Sequence, residues 1–378
     1  MKKIFIAIAA AILLCAPQSA TAEGLSTKAK AAILVDAGTG NVLYELNADE
    51  QLECASVTKI MSLLLFCESE KSGRLSLADT AAISSHAASM RGTRVFLDAN
   101  TTHNVENLFK AVAVCSANDA CVALAEKIAG SEQAFVEMMN KKAQVLGLGA
   151  SFDNATGLGA ANKMSARDAA VICQELLKHN LAFKFGGVWM ENYIHPDGRE
   201  TEMVNQNRLV RFYEGCDGIA TGSSASAGYC LAATAKRDGG RFIYVSFGTP
   251  GSAARFDEAK GAFDYAFAGF ISKTVVREGQ QLAGNLAVSG GTLPFINVYA
   301  AREFSLLLEK GKEGSLEKEL VLLEDIRAPL AEGEIVGYLS ISLDGTEIGR
   351  VDAVTGQNVD ALNFLNAFRR IMVWWLFA

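Results

Sequence analysis

A serine followed three residues later by a lysine, at the start of an apolar helical pattern, is the first arrangement in this 378-residue chain that could do covalent chemistry. A serine hydroxyl is a weak nucleophile at neutral pH and needs a base beside it. The four histidines (His86, His103, His179 and His195) are scattered and offer no context for a Ser-His-Asp arrangement. Lysine is the alternative, and Ser56-Val57-Thr58-Lys59 supplies one. At a helix start, residues i and i+3 share a face, so the Lys59 amine can approach the Ser56 hydroxyl. The helix N-terminus adds backbone N–H groups and partial positive charge where an oxyanion would develop.

One S-x-x-K match carries little weight. A second, Ser315 to Lys318, lies in the charged stretch Lys312 to Glu319 and reads as solvated surface. The first match has company: Ser116-Ala117-Asn118 follows inside an apolar stretch, and Asp217-Gly218-Ile219-Ala220-Thr221-Gly222 lies further on. S-x-x-K, S-x-N and x-T-G in this order is the pattern of penicillin-binding proteins and class A β-lactamases. The wording around them, in Ala55 to Met61, Ser116 to Ala120, Phe152 to Leu158, Ser165 to Asp168 and Gly228 to Gly239, resembles the D-alanyl-D-alanine carboxypeptidase family over roughly Ala31 to Phe270.

That resemblance implies a set of roles. Ser56 is the acylated nucleophile, Lys59 its general base, and Ser116 a proton relay or a hold on the leaving amine. Asn118 hydrogen-bonds the substrate amide. The strand carrying Ala220, Thr221 and Gly222 pairs with the substrate backbone, with Thr221 at the terminal carboxylate. The N–H groups of Ser56 and Ser223 form the oxyanion hole. Arg255 is either a carboxylate partner or a surface cation at a helix start. The implied reaction releases the terminal D-alanine from peptidoglycan stem peptides ending in D-Ala-D-Ala, and β-lactams acylate the same serine. No metal or organic cofactor is implied.

The third motif departs from the family's K-T-G, because Ala220 stands where lysine is expected. No other Thr-Gly pair in the chain is preceded by lysine. A missing ammonium removes a like charge that would help to keep Lys59 neutral, and weakens the field that receives a carboxylate. The expectation is a slowed peptidase. The alternative is a homologue that binds peptidoglycan or penicillin without the chemistry. A β-lactamase shares the early motifs, but no element for fast deacylation is visible.

The surrounding pattern must position these groups. Ala31 to Val35 and Val42 to Tyr44 read as strands around a turn, and a mostly helical block runs from Ser56 to about Lys178. Strand signals return at Gly228 to Ala235 and Arg241 to Gly248, then a helix at Arg255 to Gly269. The expected class is α/β, with an antiparallel sheet flanked by helices and interrupted by a helical insertion. The resemblance makes this the penicillin-binding-protein/β-lactamase-like transpeptidase fold. Short apolar segments from Leu282 to Val351 then suggest a small all-β domain. The expected boundaries are 1–22 for a leader, 23–272 for the peptidase domain, 273–356 for the β domain and 357–378 for a tail.

Lys2 and Lys3, the apolar run Ile4 to Ala16 and Ala20-Thr21-Ala22 have the layout of a secretory signal peptide, too short to span a bilayer. The tail, with Phe364, Phe368, Trp374, Trp375 and Phe377 around Arg369 and Arg370, suits a helix lying in the membrane interface; the alternative is a helix packed on the β domain. Together these imply an exported protein peripheral to the outer face of the cytoplasmic membrane. The net charge of −7 argues against a nucleic-acid partner. Beyond the leader, Cys54, Cys67, Cys115, Cys121, Cys173, Cys216 and Cys230 are odd in number and several lie in apolar stretches, which favours buried thiols over a disulfide framework or a zinc site.

Overall fold

A computed structural model describes residues 25–311, 314–364 and 368. The leader lies outside the described residues, as does nearly all of the tail beyond Phe364.

Five strands form the central sheet: β1 (Ala31–Asp36), β2 (Val42–Leu46), β3 (Cys216–Ser224), β4 (Gly228–Arg237) and β5 (Gly240–Thr249). Their order is β2-β1-β5-β4-β3, all antiparallel, so β3 closes one side with an edge that is unpaired among the described residues. Successive side chains of a strand point to opposite faces, and both faces here are covered. Ala31, Ile33, Val35, Ile243 and Val245 join the larger core with the helical block. Ala32, Leu34, Phe242 and Tyr244 pack instead with Phe256 and Phe263 of the helix Ser252–Gly269. That is why these strands read as near-continuous apolar runs.

The helical block contains α1 (Lys59–Lys71), α2 (Val105–Cys115), α3 (Asn118–Ala129), α4 (Glu132–Val145) and α5 (Ala166–Leu176). Helix α1 runs through the middle, with every residue from Lys59 to Cys67 buried. A helix apolar on all sides belongs inside a core rather than on its surface. Side-chain caps start three of the others: Asn104 accepts from Asn107 N before α2, Ser131 from Ala134 N before α4, and Ser165 with Asp168 forms a capping box on α5.

From Phe270 to Thr355 the named elements of the described residues are all strands, as expected of the small β domain. A five-stranded sheet combines Gln281–Ala287, Phe295–Ala300, Thr346–Thr355, Ile335–Leu343 and Leu316–Leu322 in that spatial order. Phe270–Val276 pairs with Phe304–Glu309 in a separate ribbon that sequence reading did not anticipate. Phe304–Glu309 is half-buried along most of its length and shows no clean alternation of exposure. The hairpin of Met190–Ile194 and Glu200–Val204 was also missed, because its strands alternate polar with only modestly apolar residues. All seven cysteines beyond the leader are free and buried.

Candidate active site

Ser56 sits in a single 3-10 turn, Ala55–Thr58, that leads directly into α1. Sequence periodicity suggested a plain helix start; the tighter turn serves the pair better, because 3-10 geometry eclipses residues i and i+3. Lys59 Nζ lies 3.2 Å from Ser56 Oγ and donates at 2.9 Å to the Thr156 carbonyl. The lysine is 1% exposed. Burial lowers its pKa to about 8, with the nearby Cys121 and Cys115 opposing that shift. Desolvation therefore supplies part of the lowering on its own, without a neighbouring ammonium.

Thr156 belongs to a loop pressed under the 3-10 turn. Asn154 Oδ1 accepts from Gly157 N at 2.7 Å, Thr156 N at 3.1 Å and Thr156 Oγ1 at 3.1 Å. Asn162 Nδ2 donates to the Asn154 carbonyl and to Thr58 Oγ1. Glu132 accepts from Ala155 N, and Ser62 donates to the Ala155 carbonyl. Gly157 has φ +74°, and a Cβ there would lie 1.9 Å from the Ala55 carbonyl oxygen. The loop can approach the nucleophile's turn this closely only through glycine.

Ser116 caps α2 in the left-handed conformation (φ 62°), and Ala55 beside the nucleophile is likewise left-handed (φ 44°). Such backbone is uncommon outside glycine and collects at functional sites. Ser116 Oγ is shielded from solvent without a hydrogen-bonding partner among the described residues. Asn118 opens α3, its Nδ2 donating to the Arg91 carbonyl at 2.6 Å while its Oδ1 is shielded and unpartnered. Asp119 accepts from Val95 N and Leu97 N, which holds the 91–98 loop in place. Two orphaned polar atoms beside a nucleophile are what a site awaiting a polar ligand presents.

The third side of the cleft is the free edge of β3. Lys59, Ser116, Ala220 and Thr221 line one cavity of about 10 Å³, together with Asn205 and Asn207. Gly222 lies against the nucleophile, because a Cβ there would sit 2.6 Å from Ser56 N and 3.0 Å from Ala55 Cβ. Ser223 follows it as an exposed residue. Arg255 Nη1 donates to the carbonyls of Gly222 at 2.9 Å and Cys230 at 3.3 Å, and the residue is 8% exposed. The arginine thus braces β3 against β4, rather than being a surface cation.

The structure therefore brings Ser56, Lys59, Ser116, Ala220 and Thr221 together, with Asn118 and Gly222 beside them. Sequence reasoning missed the Thr156 carbonyl and the Asn154 and Asn162 clamps. The block Phe152 to Leu158 was visible, but a main-chain acceptor carries no side-chain signature.

A sequence model described as D-alanyl-D-alanine carboxypeptidase matches residues 17–251, and one described as the C-terminal domain of penicillin-binding protein 5 matches residues 270–361. The D-alanyl-D-alanine carboxypeptidase DacF of Bacillus subtilis is 36% identical over 355 residues, covering 93% of this chain and 91% of its own. DacC of Escherichia coli is 32% identical, covering 91% of this chain and 87% of its own. The crystal structure of penicillin-binding protein 5 from Haemophilus influenzae superposes with a TM-score of 0.70 at 29% identity, over 89% of this chain and 98% of that one. With a buried lysine on a serine, a strand edge beside them and likeness along nearly its whole length, the chain belongs to the D-alanyl-D-alanine carboxypeptidase family.

Proposed function

We propose that the chain removes the terminal D-alanine from peptidoglycan stem peptides through an acyl-enzyme on Ser56, at a rate reduced by Ala220. The observation that carries this reading is the buried Lys59 amine 3.2 Å from the Ser56 hydroxyl. In the neutral form Lys59 takes the Ser56 proton as Oγ attacks the carbonyl between the two D-alanines. The N–H groups of Ser56 and Ser223 receive the oxyanion, Ser116 passes a proton to the leaving amine, and Asn118 holds the substrate amide. Water then cleaves the ester. A β-lactam follows the first half of this path and acylates Ser56.

At pH 7, a lysine of pKa about 8 is neutral in roughly a tenth of molecules. Acylation therefore survives without the third-motif lysine, but slowly, and Thr221 receives the substrate carboxylate without a neighbouring ammonium. Export by the leader and membrane contact by the aromatic tail put this activity at the outer face of the cytoplasmic membrane; the leader and nearly all of the tail lie outside the described residues.

The test is release of D-alanine from a D-Ala-D-Ala peptide by the purified chain, with Ser56→Ala alongside. Slow release that disappears in the variant supports the reading. Ala220 also favours a second reading, a binding protein that keeps the groove alone; peptide affinity with no release and no acylation would select it.

A further inference from the structure

The carbonyl that holds Lys59 is itself held by a carboxylate from outside the cleft. That Lys59 acts as the base rests on the peptidase reading. Asn154 fixes the Thr156–Gly157 peptide from within the loop, whereas the residue before it, Ala155, is fixed by other elements. Ala155 is wholly buried. Its carbonyl accepts at 2.6 Å from Ser62 Oγ, which lies one turn beyond Lys59 on α1, and its N–H donates at 2.9 Å to Glu132 Oε1.

Glu132 is the first residue of α4, directly after the capping Ser131. The positive end of the helix favours its ionised form. A hydrogen bond from an N–H to a carboxylate is roughly twice as strong as one between neutral groups, so this contact suits a loop that must not drift. The second oxygen, Oε2, lies 2.6 Å from His86 Nε2. A carboxylate only accepts, so Nε2 donates, in the neutral ring as in the charged one. His86 stands on the short helix Ser85–Ser89, whose capping Ser84 accepts from Ala87 N and donates at 3.0 Å to Glu126 Oε1 of α3.

Glu132 is thus anchored at both oxygens, one on the buried loop and one on a histidine whose side chain is 53% exposed. Both residues line a cavity of about 680 Å³ on the far side of the loop's anchor. The contacts run without a gap from that cavity to the base: His86, Glu132, Ala155, Thr156, Lys59. Burial, Cys121 and Cys115 set the protonation of Lys59, which leaves to Glu132 the placing of its amine. We propose that Glu132 is a positioning residue for Lys59, and that His86 fixes Glu132 in that task.

The experiment separates chemistry from binding. Acylation of the full chain by a fluorescent penicillin, followed over a range of concentrations, yields the first-order constant at saturation and the dissociation constant of the complex that precedes it. Glu132→Ala leaves the Ala155 N–H without its acceptor; the first-order constant falls at least about tenfold, and the dissociation constant stays within about twofold. Glu132→Gln keeps an oxygen for that N–H and recovers the rate to within about threefold. His86→Ala slows acylation about threefold in the otherwise unmodified chain and not at all when added to Glu132→Ala, because it acts only through Glu132. An unchanged first-order constant in Glu132→Ala overturns the proposal, as does a loss confined to the dissociation constant or one that Glu132→Gln does not relieve. Losses that simply add overturn the part given to His86. Thermal melts check folding; should Glu132→Ala not fold, His86→Ala decides through the same two constants. If the unmodified chain is not acylated, the peptidase reading falls, and hydrogen exchange at the Ala155 and Thr156 amides still decides the positioning. Exchange there quickens in Glu132→Ala and slows again in Glu132→Gln; exchange that is the same in all three chains overturns it.

Discussion

Replacing Ala220 by lysine returns a cation to the wall of the cavity that Lys59 shares. Burial alone already brings Lys59 to about 8. A second ammonium about 5 Å away, at an effective dielectric of about 20, adds roughly 3 kcal/mol of repulsion, or about two pKa units. Lys59 in Ala220→Lys then titrates near about 6, and its neutral fraction at pH 7 rises from roughly a tenth to roughly nine-tenths. The base contributes a gain of about tenfold at pH 7, and almost none at pH 9.5, where both forms are neutral. The assay is the second-order rate of acylation by a fluorescent penicillin from pH 5.5 to 10. In the unmodified chain the rate climbs as pH rises through about 8 and then levels; in the variant the climb moves about two units lower. Any gain that persists at high pH belongs to the field acting on the substrate carboxylate. If the climb stays in place after the lysine is installed, the charge argument is wrong.

Other perturbations test the surrounding geometry. Gly222→Ala puts a Cβ 2.6 Å from Ser56 N, so the strand must shift; acylation should fall at least about a hundredfold, with a stability loss of about 1–3 kcal/mol in a thermal melt. Asn154→Leu strips three donors of their acceptor and frees the Thr156 carbonyl from its place on Lys59; it should cost about 1–3 kcal/mol and slow acylation, whereas Asn154→Asp keeps the acceptor and most of the rate. His103 and His195 are buried edge to face at 5.8 Å, and burial holds both below the usual histidine value of 6.5. The unfolded chain binds these protons more readily, so denaturation midpoints should fall as pH drops below about 6.5; a flat profile from pH 7 to 5 contradicts that packing.

The parts of the site that could be read in the sequence are those fixed by local spacing or by motif order. Ser56 and Lys59 are three residues apart, so any helical turn brings them together. Ser116, Asn118 and Thr221 were found through the order of motifs, and only the tertiary fold explains their convergence: α2, α3 and an edge strand meet over one buried helix. The clamp on Lys59 was hidden, because the Thr156 carbonyl is main chain and Asn154 acts on backbone N–H groups. Arg255 was ambiguous for a related reason, since its type cannot reveal that Nη1 is engaged by the Gly222 and Cys230 carbonyls. Among the strands, β1, β4 and β5 announced themselves as apolar runs, whereas Phe304–Glu309 is half-buried and leaves no period to read.

Intact mass after incubation with benzylpenicillin tests the central claim most directly, because it reports on the Ser56 oxygen itself. The chain should gain the mass of one penicillin, carried by the peptide that contains Ser56, with Ser56→Ala and Lys59→Ala gaining none. An unmodified mass after prolonged exposure, or an adduct on another residue, would contradict the account.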